Sequence, residues 1–239
     1  MEKIIIWDFN GTLVNDAYLG AQINNELNQE HGLPRLEEEY YRDHFTHPPR
    51  IFYEEIGYDF SRESYDELSR EFMRRYVARQ GQVQLTRGVR ENLEEFARRG
   101  VRQFIVSAHS QELLLEHTAA LGIDHYFEQI IGTDSTVVTG KVQRAQQFAA
   151  QSGIDFTQAI FIGDTDHDQE TAQALGCRCL LYSGGHQSRR RLERCGLPVL
   201  DDMLEIRQVV ESIWRQDQQV FPERETVRQG AWPLRLALA

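Results

Sequence analysis

The sequence predicts an α/β protein in which an open parallel sheet carries an inserted, all-helical second unit. Short, β-branched apolar runs recur along the 239 residues, and each leads into a polar residue. Amphipathic stretches that stop at a glycine separate these runs, whereas residues from about 15 to 82 show helical periodicity alone. Strands that alternate with helices are typical of a parallel sheet, and the interruption predicts a separate helical unit.

The predicted strands are runs of three or four apolar residues, at Ile4–Trp7, 104–106, 160–162 and, more weakly, 179–181. The first run is apolar at every position, which is typical of a strand covered on both faces of a sheet. Asp8 follows this run, Ser107 follows the second, and Asp164 comes just after the third. Because ligands of parallel α/β sheets bind at the carboxyl ends of the strands, we expect these three side chains to converge.

Helices are predicted between the strands, where apolar residues recur every three or four positions. Such stretches lie at 89–96 and 113–121, and Gly100 and Gly122 follow them as helix stops.

The segment 15–82 is predicted to be a helical cap. It contains two amphipathic stripes, formed by Leu19, Ile23 and Leu27 and by Tyr65, Leu68, Phe72 and Tyr76. The segment follows the first strand and its turn directly, so it is placed to cover the end of the sheet. We therefore predict a core of residues 1–14 and 83–221, a cap of 15–82, and a tail of 222–239 to which the sequence assigns no role.

Composition limits the classes of partner. The formal net charge is −11, which disfavours attraction to nucleic acid or to an anionic membrane. The three arginines at 189–191 are interpreted as a solvated helix face. The sequence does not indicate an oligomeric state.

Targeting and cysteine signals point to the cytoplasm. The N-terminus does not resemble a signal peptide, and no run approaches the roughly 18 apolar residues of a membrane span. Cys177 and Cys179 are spaced to share one side of a strand, which is a poor geometry for a disulfide, and Cys195 makes the number odd. Reduced thiols in a cytoplasmic protein are expected.

Four motifs in order carry a family resemblance. The first strand leads into Asp8-Phe9-Asn10-Gly11-Thr12-Leu13-Val14. This segment resembles the signature Asp-x-Asp-Gly-Thr-Leu/Val of the haloacid dehalogenase superfamily, with Asn10 in place of the second Asp. Ser107, Lys141 and Asp164 with Asp168 match the later motifs of the family.

The resemblance spans residues 3–184, and the stretch 163–185 is similar to phosphoglycolate-phosphatase-type members, which also carry a helical cap. It implies a Rossmann-like core and a phosphatase that uses Mg²⁺ to hydrolyse small phosphorylated metabolites. Relatives that cleave phosphonoacetaldehyde use a cap lysine, and this cap contains none.

The resemblance also implies roles for individual residues. Asp8 is the expected nucleophile, which would form an aspartyl phosphate. The expected catalytic residues are Asp8, Asn10, Ser107 and Lys141. The expected Mg²⁺ ligands are Asp8, Asn10 through its backbone carbonyl, Asp164 and Asp168, the last of which could hold a water on the metal or orient Lys141. The expected substrate contacts are Gly11, Thr12, Ser107, Ala108, Lys141 and Arg50.

Lys141 has independent support from composition. Lys3 and Lys141 are the only lysines in the sequence. All the other residues counted as lysine or arginine are arginine. An ammonium group is a point charge that can bridge Asp8 and a phosphoryl oxygen without the planar fork of a guanidinium.

Asn10 is the departure that bears on activity. The family Asp at this position protonates the leaving oxygen and later activates water, whereas an amide cannot shuttle protons. A contribution of roughly 10²–10⁴ to the rate is therefore in doubt. Three interpretations are open. The chain is a phosphatase that uses a metal-bound water, a nearby histidine such as His109 or an activated leaving group; or it is a phosphate-binding or weakly active member; or Asn10 is a deliberate substitution. A sugar-phosphate mutase is a further alternative.

Substrate choice is expected to depend on the cap segment 44–50. Arg50 is the candidate contact for a substrate carboxylate, and a salt bridge within the cap is the alternative. His44 and His47 lack a third partner as metal ligands.

Overall fold

The computed structural model describes residues 2–133 and 140–220, with side chains described as far as residue 215. Met1–Ile206 form one compact unit, and a second unit begins at Arg207. The described part of the second unit, 207–220, is helical. The predicted tail, 222–239, lies outside the described residues.

Within the described residues the structure has eight strands, β1 (Ile4–Trp7), β2 (Val14–Asn15), β3 (Gln84–Leu85), β4 (Arg102–Ser110), β5 (Gln129–Thr133), β6 (Ala159–Gly163), β7 (Arg178–Tyr182) and β8 (Val199–Leu200). The same residues form ten α-helices, α1 (Ala17–Glu30), α2 (Glu38–His44), α3 (Pro49–Glu55), α4 (Tyr65–Arg79), α5 (Val89–Arg98), α6 (Gln111–Ala120), α7 (Lys141–Ser152), α8 (Asp166–Leu175), α9 (Arg189–Leu192) and α10 (Ile206–Val220).

The central sheet confirms the predicted open parallel α/β core. In the described part of the chain it has six strands in the order β5-β4-β1-β6-β7-β8, and every pairing is parallel. Trp7 at the end of β1 lies opposite Ile105 of β4 and Ile162 of β6. The Asp8 N–H then donates to the Ile162 carbonyl at 2.8 Å. Asp8 therefore lies at the carboxyl edge of the sheet, next to its central strands.

Apolar side chains on one face of the sheet hold α7 and α8 against it. Ile4, Ile6, Phe104 and Phe161 are all fully buried there, and Phe148 of α7 packs among them. The continuous apolar runs that predicted these strands reflect burial on both faces. This packing fixes α7 and α8, whose first turns carry site residues.

The chain leaves the core after β1 and returns before α5 through the antiparallel pair β2 and β3. The segment between these two strands consists of α1 to α4, short turns and one 3₁₀ turn, as predicted for an all-helical insert. Leu19, Ile23 and Leu27 on α1 and Leu68 and Tyr76 on α4 are buried. The two amphipathic stripes therefore pack α1 against α4.

Two features of the sheet differ from the sequence prediction. β4 does not end before Ser107 but continues to Ser110, with an irregular register against β5 after Val106. β5 and β8 were not predicted, because a short strand at or near a sheet edge carries too few apolar residues to stand out from its surroundings.

The arginine tract at 189–191 links the cap to the core. Arg190 pairs with Asp43 of α2, and Arg191 donates both to the Asp43 carbonyl at 3.1 Å and to Asp166 at 2.7 Å. The Ser188 N–H also donates to the Arg42 carbonyl at 3.0 Å. The Arg191 side chain is only 17% exposed, so the interpretation of the tract as a solvated face was wrong for this residue.

Candidate active site

A cavity of about 180 Å³ lies between the carboxyl edge of the sheet and the cap. The core contributes one part of the lining, namely Asp8, Asn10, Ser107, Ala108, His109, Lys141, Asp164, Thr165, His167 and His186. The segment 15–82 contributes the rest, namely Asp16, Gly20, Tyr41, Phe45, His47, Phe72, Met73 and Tyr76. Asp8, Ser107 and Asp164, which follow or lie in three different strands, do converge.

Lys141 joins two carboxylates in the interior. It is the first residue of α7 and only 3% exposed, and its ammonium contacts one oxygen each of Asp8 and Asp168. Burial alone would lower the pKa of Lys141, but the charges of Asp168 and Asp8 hold it above its ordinary value. The lysine is therefore a fixed cation directly beside Asp8.

Asp168 serves mainly to position its neighbours. Its second oxygen accepts from the Asp164 N–H at 3.0 Å, the Thr165 N–H at 2.9 Å and the Thr165 hydroxyl at 2.8 Å. These bonds close the N-terminal turn of α8, where a carboxylate at the third helical position caps free N–H groups. Asp168 does not line the cavity; it fixes the turn that carries Asp164 and orients Lys141.

Asp164 is held by close contacts on two sides. Its oxygens accept from the Thr12 hydroxyl at 2.9 Å and the His186 N–H at 2.6 Å. A Cβ atom at Gly11 or Gly185 would come within 2.3 or 2.2 Å of Asp164 Oδ2. Gly11 also has φ of +75°, which favours glycine. Gly11 and Thr12 thus support Asp164 and do not line the cavity.

Three buried carboxylates offer a place for a cation. One oxygen each from Asp8, Asp164 and Asp168 lie within 4.8 Å of one another. Burial raises the pKa of Asp8 well above its usual range, and burial with the charge of Asp168 raises that of Asp164 to about 6. Clustered carboxylates that resist ionisation are the donor set that a hard divalent cation binds and stabilises, so the residues fit such an ion.

Ser107 is poised to donate a hydrogen bond into the cavity. Its oxygen accepts from the His109 N–H at 3.1 Å, which leaves the hydroxyl hydrogen for a ligand. The His109 ring lines the cavity, and its Nε2 has no hydrogen-bond partner among the described residues. Burial lowers the pKa of His109 to about 4, so the ring is neutral at neutral pH.

Asn10 belongs to a buried hydrogen-bond network that the sequence did not predict. Its side-chain nitrogen donates to Asp16 at 2.6 Å and to the Tyr76 hydroxyl at 3.0 Å, and Tyr76 itself donates to Asp16 at 2.7 Å. The other Asp16 oxygen accepts from the Gly11 N–H at 2.7 Å and lies 3.4 Å from His186 Nε2. Four donors thus surround one carboxylate.

The network sets the charges of Asp16 and His186. Burial would raise the pKa of Asp16, but hydrogen bonds from His186, Asn10 and Tyr76 and the charge of His186 lower it below its ordinary value. Burial would lower the pKa of His186, but Asp16 and the charges of Asp164 and Asp8 raise it to about 9. At neutral pH Asp16 is an anion and His186 a cation.

The structure does not bring Arg50 to the cavity. It lies on α3 with its side chain 53% exposed, forms an ion pair with Glu54 at 2.8 Å, and covers the Phe60 ring at 5.4 Å. Its side chain therefore makes the salt bridge within the cap that was the alternative expectation. Of the two histidines in the cap segment 44–50, His44 pairs with Glu55, whereas His47 lines the cavity and stacks on His167.

Sequence reasoning missed Asp16, His186 and the aromatic wall of the cap. Asp16 had one usable signal, since it is a second acidic residue in the turn that follows the first motif. The one sequence signal for His186 was its position directly after the glycine pair that follows β7. The residues of the cap wall reach the site through helix packing, which no local pattern specifies.

Among the described residues, no helix has the length and apolar character needed to cross a bilayer. All three cysteines are free.

The chain resembles proteins of known family in sequence and in fold. Phosphoglycolate phosphatase of Pseudomonas syringae pv. tomato is 26% identical over 212 residues, which cover 85% of this chain and 78% of that protein. A conserved haloacid dehalogenase-like protein of unknown function from Agrobacterium tumefaciens superposes with a TM-score of 0.74 at 22% identity, over 89% of this chain and 99% of that one. A predicted phosphoglycolate phosphatase from Haemophilus somnus gives a TM-score of 0.69 at 20% identity, over 87% and 97%. At these identities the two structures establish likeness of fold.

The sequence model of one family covers most of the sheet and the whole cap. It is the model described as haloacid dehalogenase-like hydrolase, and it matches residues 5–182. That range includes Asp8, Ser107, Lys141, Asp164 and Asp168. The chain therefore belongs to the haloacid dehalogenase-like hydrolase family.

Proposed function

We propose that this hydrolase is a Mg²⁺-dependent phosphatase that acts on small phosphorylated metabolites through an aspartyl phosphate on Asp8. The observation that carries the proposal is the buried Lys141 ammonium in contact with Asp8, beside the carboxylate of Asp164. A carboxylate can attack a phosphoryl group only where cations offset the repulsion between the two anions.

The proposed reaction has two steps. In the first, an Asp8 carboxylate oxygen bonds to phosphorus while the ester P–O bond breaks, and the leaving oxygen takes a proton from water to form the alcohol; the water that attacks in the second step returns a proton to the solvent. In the second, water attacks the phosphorus of the aspartyl phosphate, which releases inorganic phosphate and regenerates Asp8. Lys141 and the Ser107 hydroxyl would stabilise the charge on the phosphoryl oxygens throughout.

Mg²⁺ is proposed as the cation that Asp8 and Asp164 bind, with the backbone carbonyl of Asn10 as a further ligand. When bound, it would offset the charge of the phosphoryl group and draw its oxygens into line for attack. The hydrogen-bond pattern favours Asp168 as the residue that orients Lys141, since its oxygens already face Lys141, Thr165 and the Asp164 N–H.

A small substrate is supported by the dimensions of the site. The cavity encloses about 180 Å³ and the cap covers it, which suits a small phosphorylated molecule better than a phosphorylated macromolecule. The matched relatives named phosphoglycolate phosphatase support the same class of substrate. The free cysteines are consistent with the proposal of a cytoplasmic enzyme.

One alternative function is a phosphate-binding or weakly active protein. The observation in its favour is that both hydrogens of the Asn10 amide nitrogen have acceptors, so this side chain is fixed and cannot transfer a proton.

Phosphate release from a panel of phosphate esters tests the proposal. We expect release with Mg²⁺, none with excess chelator, and none from Asp8→Asn with Mg²⁺. Tight phosphate binding without turnover would instead identify a binding protein. Movement of phosphate between two positions of one sugar, without release, would identify a mutase.

A further inference from the structure

We infer that the site selects phosphate esters whose organic group is uncharged and apolar, and that it discriminates against a carboxylate such as that of 2-phosphoglycolate. The inference rests on the proposed phosphatase function and concerns the side of the cavity that faces away from Asp8. By this preference for an uncharged organic group, the chain would differ from the matched relatives named phosphoglycolate phosphatase.

The cap presents an aromatic and apolar wall to the substrate. Phe45, Phe72, Met73 and the rings of Tyr41 and Tyr76 line the cavity opposite the catalytic edge of the sheet. Phe72 and Met73 come from the middle of α4, where they are partly exposed to the cavity. Such a wall gains free energy by covering apolar surface and gains nothing from an ionised group.

The tyrosine hydroxyls of this wall are already engaged, whereas His47 Nδ1 has no hydrogen-bond partner among the described residues. The Tyr41 hydroxyl contacts His186 Nδ1 at 2.9 Å, and the Tyr76 hydroxyl donates to Asp16 at 2.7 Å. Burial lowers the pKa of His47 to about 3, so its ring is neutral at neutral pH. A substrate carboxylate would therefore find aromatic surface and a neutral imidazole along the cap.

The basic groups of the site are also already paired with carboxyl groups. Among the described residues, Lys141 is the one lysine or arginine that lines the cavity, and its ammonium is shared by Asp8 and Asp168. Both ring nitrogens of His186 also have partners, since Nε2 lies 3.4 Å from Asp16 Oδ1 and Nδ1 lies 2.9 Å from the Tyr41 hydroxyl.

The site already holds more carboxyl groups than basic groups. Asp8, Asp16, Asp164 and Asp168 are each at most 6% exposed, and their basic neighbours are Lys141 and His186, before a phosphate group adds further negative charge. The buried carboxylate of Asp16 lines the cavity as well. A second substrate anion would be desolvated there without a lysine or arginine free to pair with it among the described residues, which is costly.

Two isosteric substrates test this inference on the unaltered full-length chain. 2-Phosphoglycolate and 2-phosphoglycolamide have the same shape and differ in the charge of the group distal to the phosphate. With Mg²⁺ at pH 7.5, we expect kcat/KM for the amide to exceed that for the acid by at least about tenfold, because one uncompensated buried charge separates them. Benzyl phosphate, which covers more of the aromatic wall, should be at least as good as the amide.

A charge variant tests the wall itself. Met73→Arg places a cation on the cavity side of α4, and we expect it to raise the ratio of acid to amide kcat/KM by about tenfold or more. Val77→Arg is the matched control, since Val77 lies on the same helix but is exposed and does not line the cavity. Its ratio should equal that of the unaltered chain.

Equal or higher kcat/KM for 2-phosphoglycolate in the unaltered chain would overturn the inference while leaving a phosphatase in place. If Met73→Arg and Val77→Arg changed the ratio of acid to amide kcat/KM equally, the assignment of Met73 to a wall that faces the substrate would be overturned. The absence of Mg²⁺-dependent phosphate release from every ester, benzyl phosphate included, would instead overturn the proposed function on which the inference rests.

Discussion

Asn10 and Asp16 form a matched pair in which the amide at position 10 makes the buried carboxylate at position 16 possible. Asn10 Nδ2 lies 2.6 Å from Asp16 Oδ2, and Asp16 is 1% exposed. A carboxylate at position 10 would face another carboxylate at hydrogen-bond distance. Two such groups cannot both ionise without a large penalty, so one of them would have to take up a proton.

The first prediction is a compensated exchange between these positions. Asn10→Asp alone should destabilise the fold by about 1–3 kcal/mol at neutral pH, because it replaces a buried donor by a repelling acceptor. Asp16→Asn alone should also destabilise it, since the amide nitrogen would face the donors of Asn10 and Tyr76. Combined, the two changes restore one carboxylate and one amide, and most of the lost stability should return. The measurement is the free energy of unfolding in urea for all four proteins.

Strictly additive losses in that cycle would contradict the pairing of positions 10 and 16. Asn10→Asp would restore the family Asp at position 10, but it would also place a carboxyl group against Asp16. The structure predicts that Asn10→Asp needs its partner change at position 16 before any gain can appear.

Some site residues could be identified from the sequence and others could not. The two groups differ in which part of the fold places them at the site. Asp8, Ser107 and Asp164 follow or continue strands of one parallel sheet, so local patterns were enough to predict that they meet. Asp16 and His186 meet across 170 residues of chain, and their charges depend on burial. Neither the distance nor the burial is encoded in a short motif.

At the scale of elements, two loops approach Asp164 so closely that they need glycine. The turn after β1 brings Gly11, and the loop after β7 brings Gly185, each to a position where a Cβ would overlap Asp164. Gly11 belongs to the motif that follows β1 and is found in the sequence by that motif, but the approach of Gly185 depends on the packing of β6 beside β7.

The second prediction concerns this second loop. Gly185→Ala should displace the Asp164 carboxylate and weaken Mg²⁺ binding by at least about tenfold, because a Cβ at 2.2 Å from Asp164 Oδ2 forces it to move. Gly81→Ala is the control, since no heavy atom lies within 4 Å of its added Cβ. Mg²⁺ affinity is measured by calorimetry; equal affinities in the two variants would show that the loop does not position the ligand.

The cap is tied to the core by polar contacts of α2. Asp43 accepts from Ser188 and pairs with Arg190, and Arg42 donates to the Gly185 carbonyl at 3.0 Å. The sequence predicted a lid over the sheet but could not predict its fastening, because surface arginines form ion pairs wherever the fold places an acid.

The third prediction is that Asp43→Ala loosens the cap. Loss of both Asp43 contacts should speed hydrogen exchange of the α2 amides by several-fold and raise KM more than it lowers kcat. Asp59→Ala is the matched control, because among the described residues the polar contacts of the Asp59 side chain are with its cap neighbours Ser61 and Arg62. Unchanged exchange in Asp43→Ala, or an equal change in both variants, would contradict a fastening role.

At the scale of the whole molecule, the parallel sheet and inserted cap followed from hydrophobic periodicity, and the fold confirms both. The short strands β5 and β8 escaped prediction because neither forms a long apolar run. Arg50 is the opposite case, a residue that the sequence predicted at the site and the structure places elsewhere. Its segment predicted a substrate contact, but on helix α3 it pairs with Glu54. The composition of a cap does not reveal which of its faces meets the core.

The fourth prediction links stability to pH and Mg²⁺. Asp164 has a pKa of about 6 in the folded chain against an ordinary value of 3.8, so the folded state keeps a proton that the unfolded chain releases. Without metal, this group therefore contributes less to stability as pH rises from 4 to 6. Mg²⁺ stabilises the ionised form, so the increase in melting temperature on adding Mg²⁺ should grow as pH rises through about 6 and level off above 7.

Thermal unfolding followed by circular dichroism between pH 5.5 and 8, with Mg²⁺ or with chelator, measures this dependence. Asp164→Asn should show a small increase at every pH. A large increase that is the same at pH 5.5 and pH 8 would contradict the assignment of Asp164 as the titrating metal ligand.

Asp8 is the residue proposed to accept the phosphoryl group, and phosphorylation of Asp8 can be observed directly. The direct measurement mixes the unaltered chain with a phosphate ester and Mg²⁺, quenches with acid within milliseconds to seconds, and locates any added phosphoryl group by peptide mass spectrometry. The prediction is a transient, hydroxylamine-sensitive phosphoryl group on Asp8 that decays as phosphate is released, and neither label nor release with Asp8→Asn. Phosphate release that persists in Asp8→Asn, or a phosphoryl group on another residue, would contradict the account.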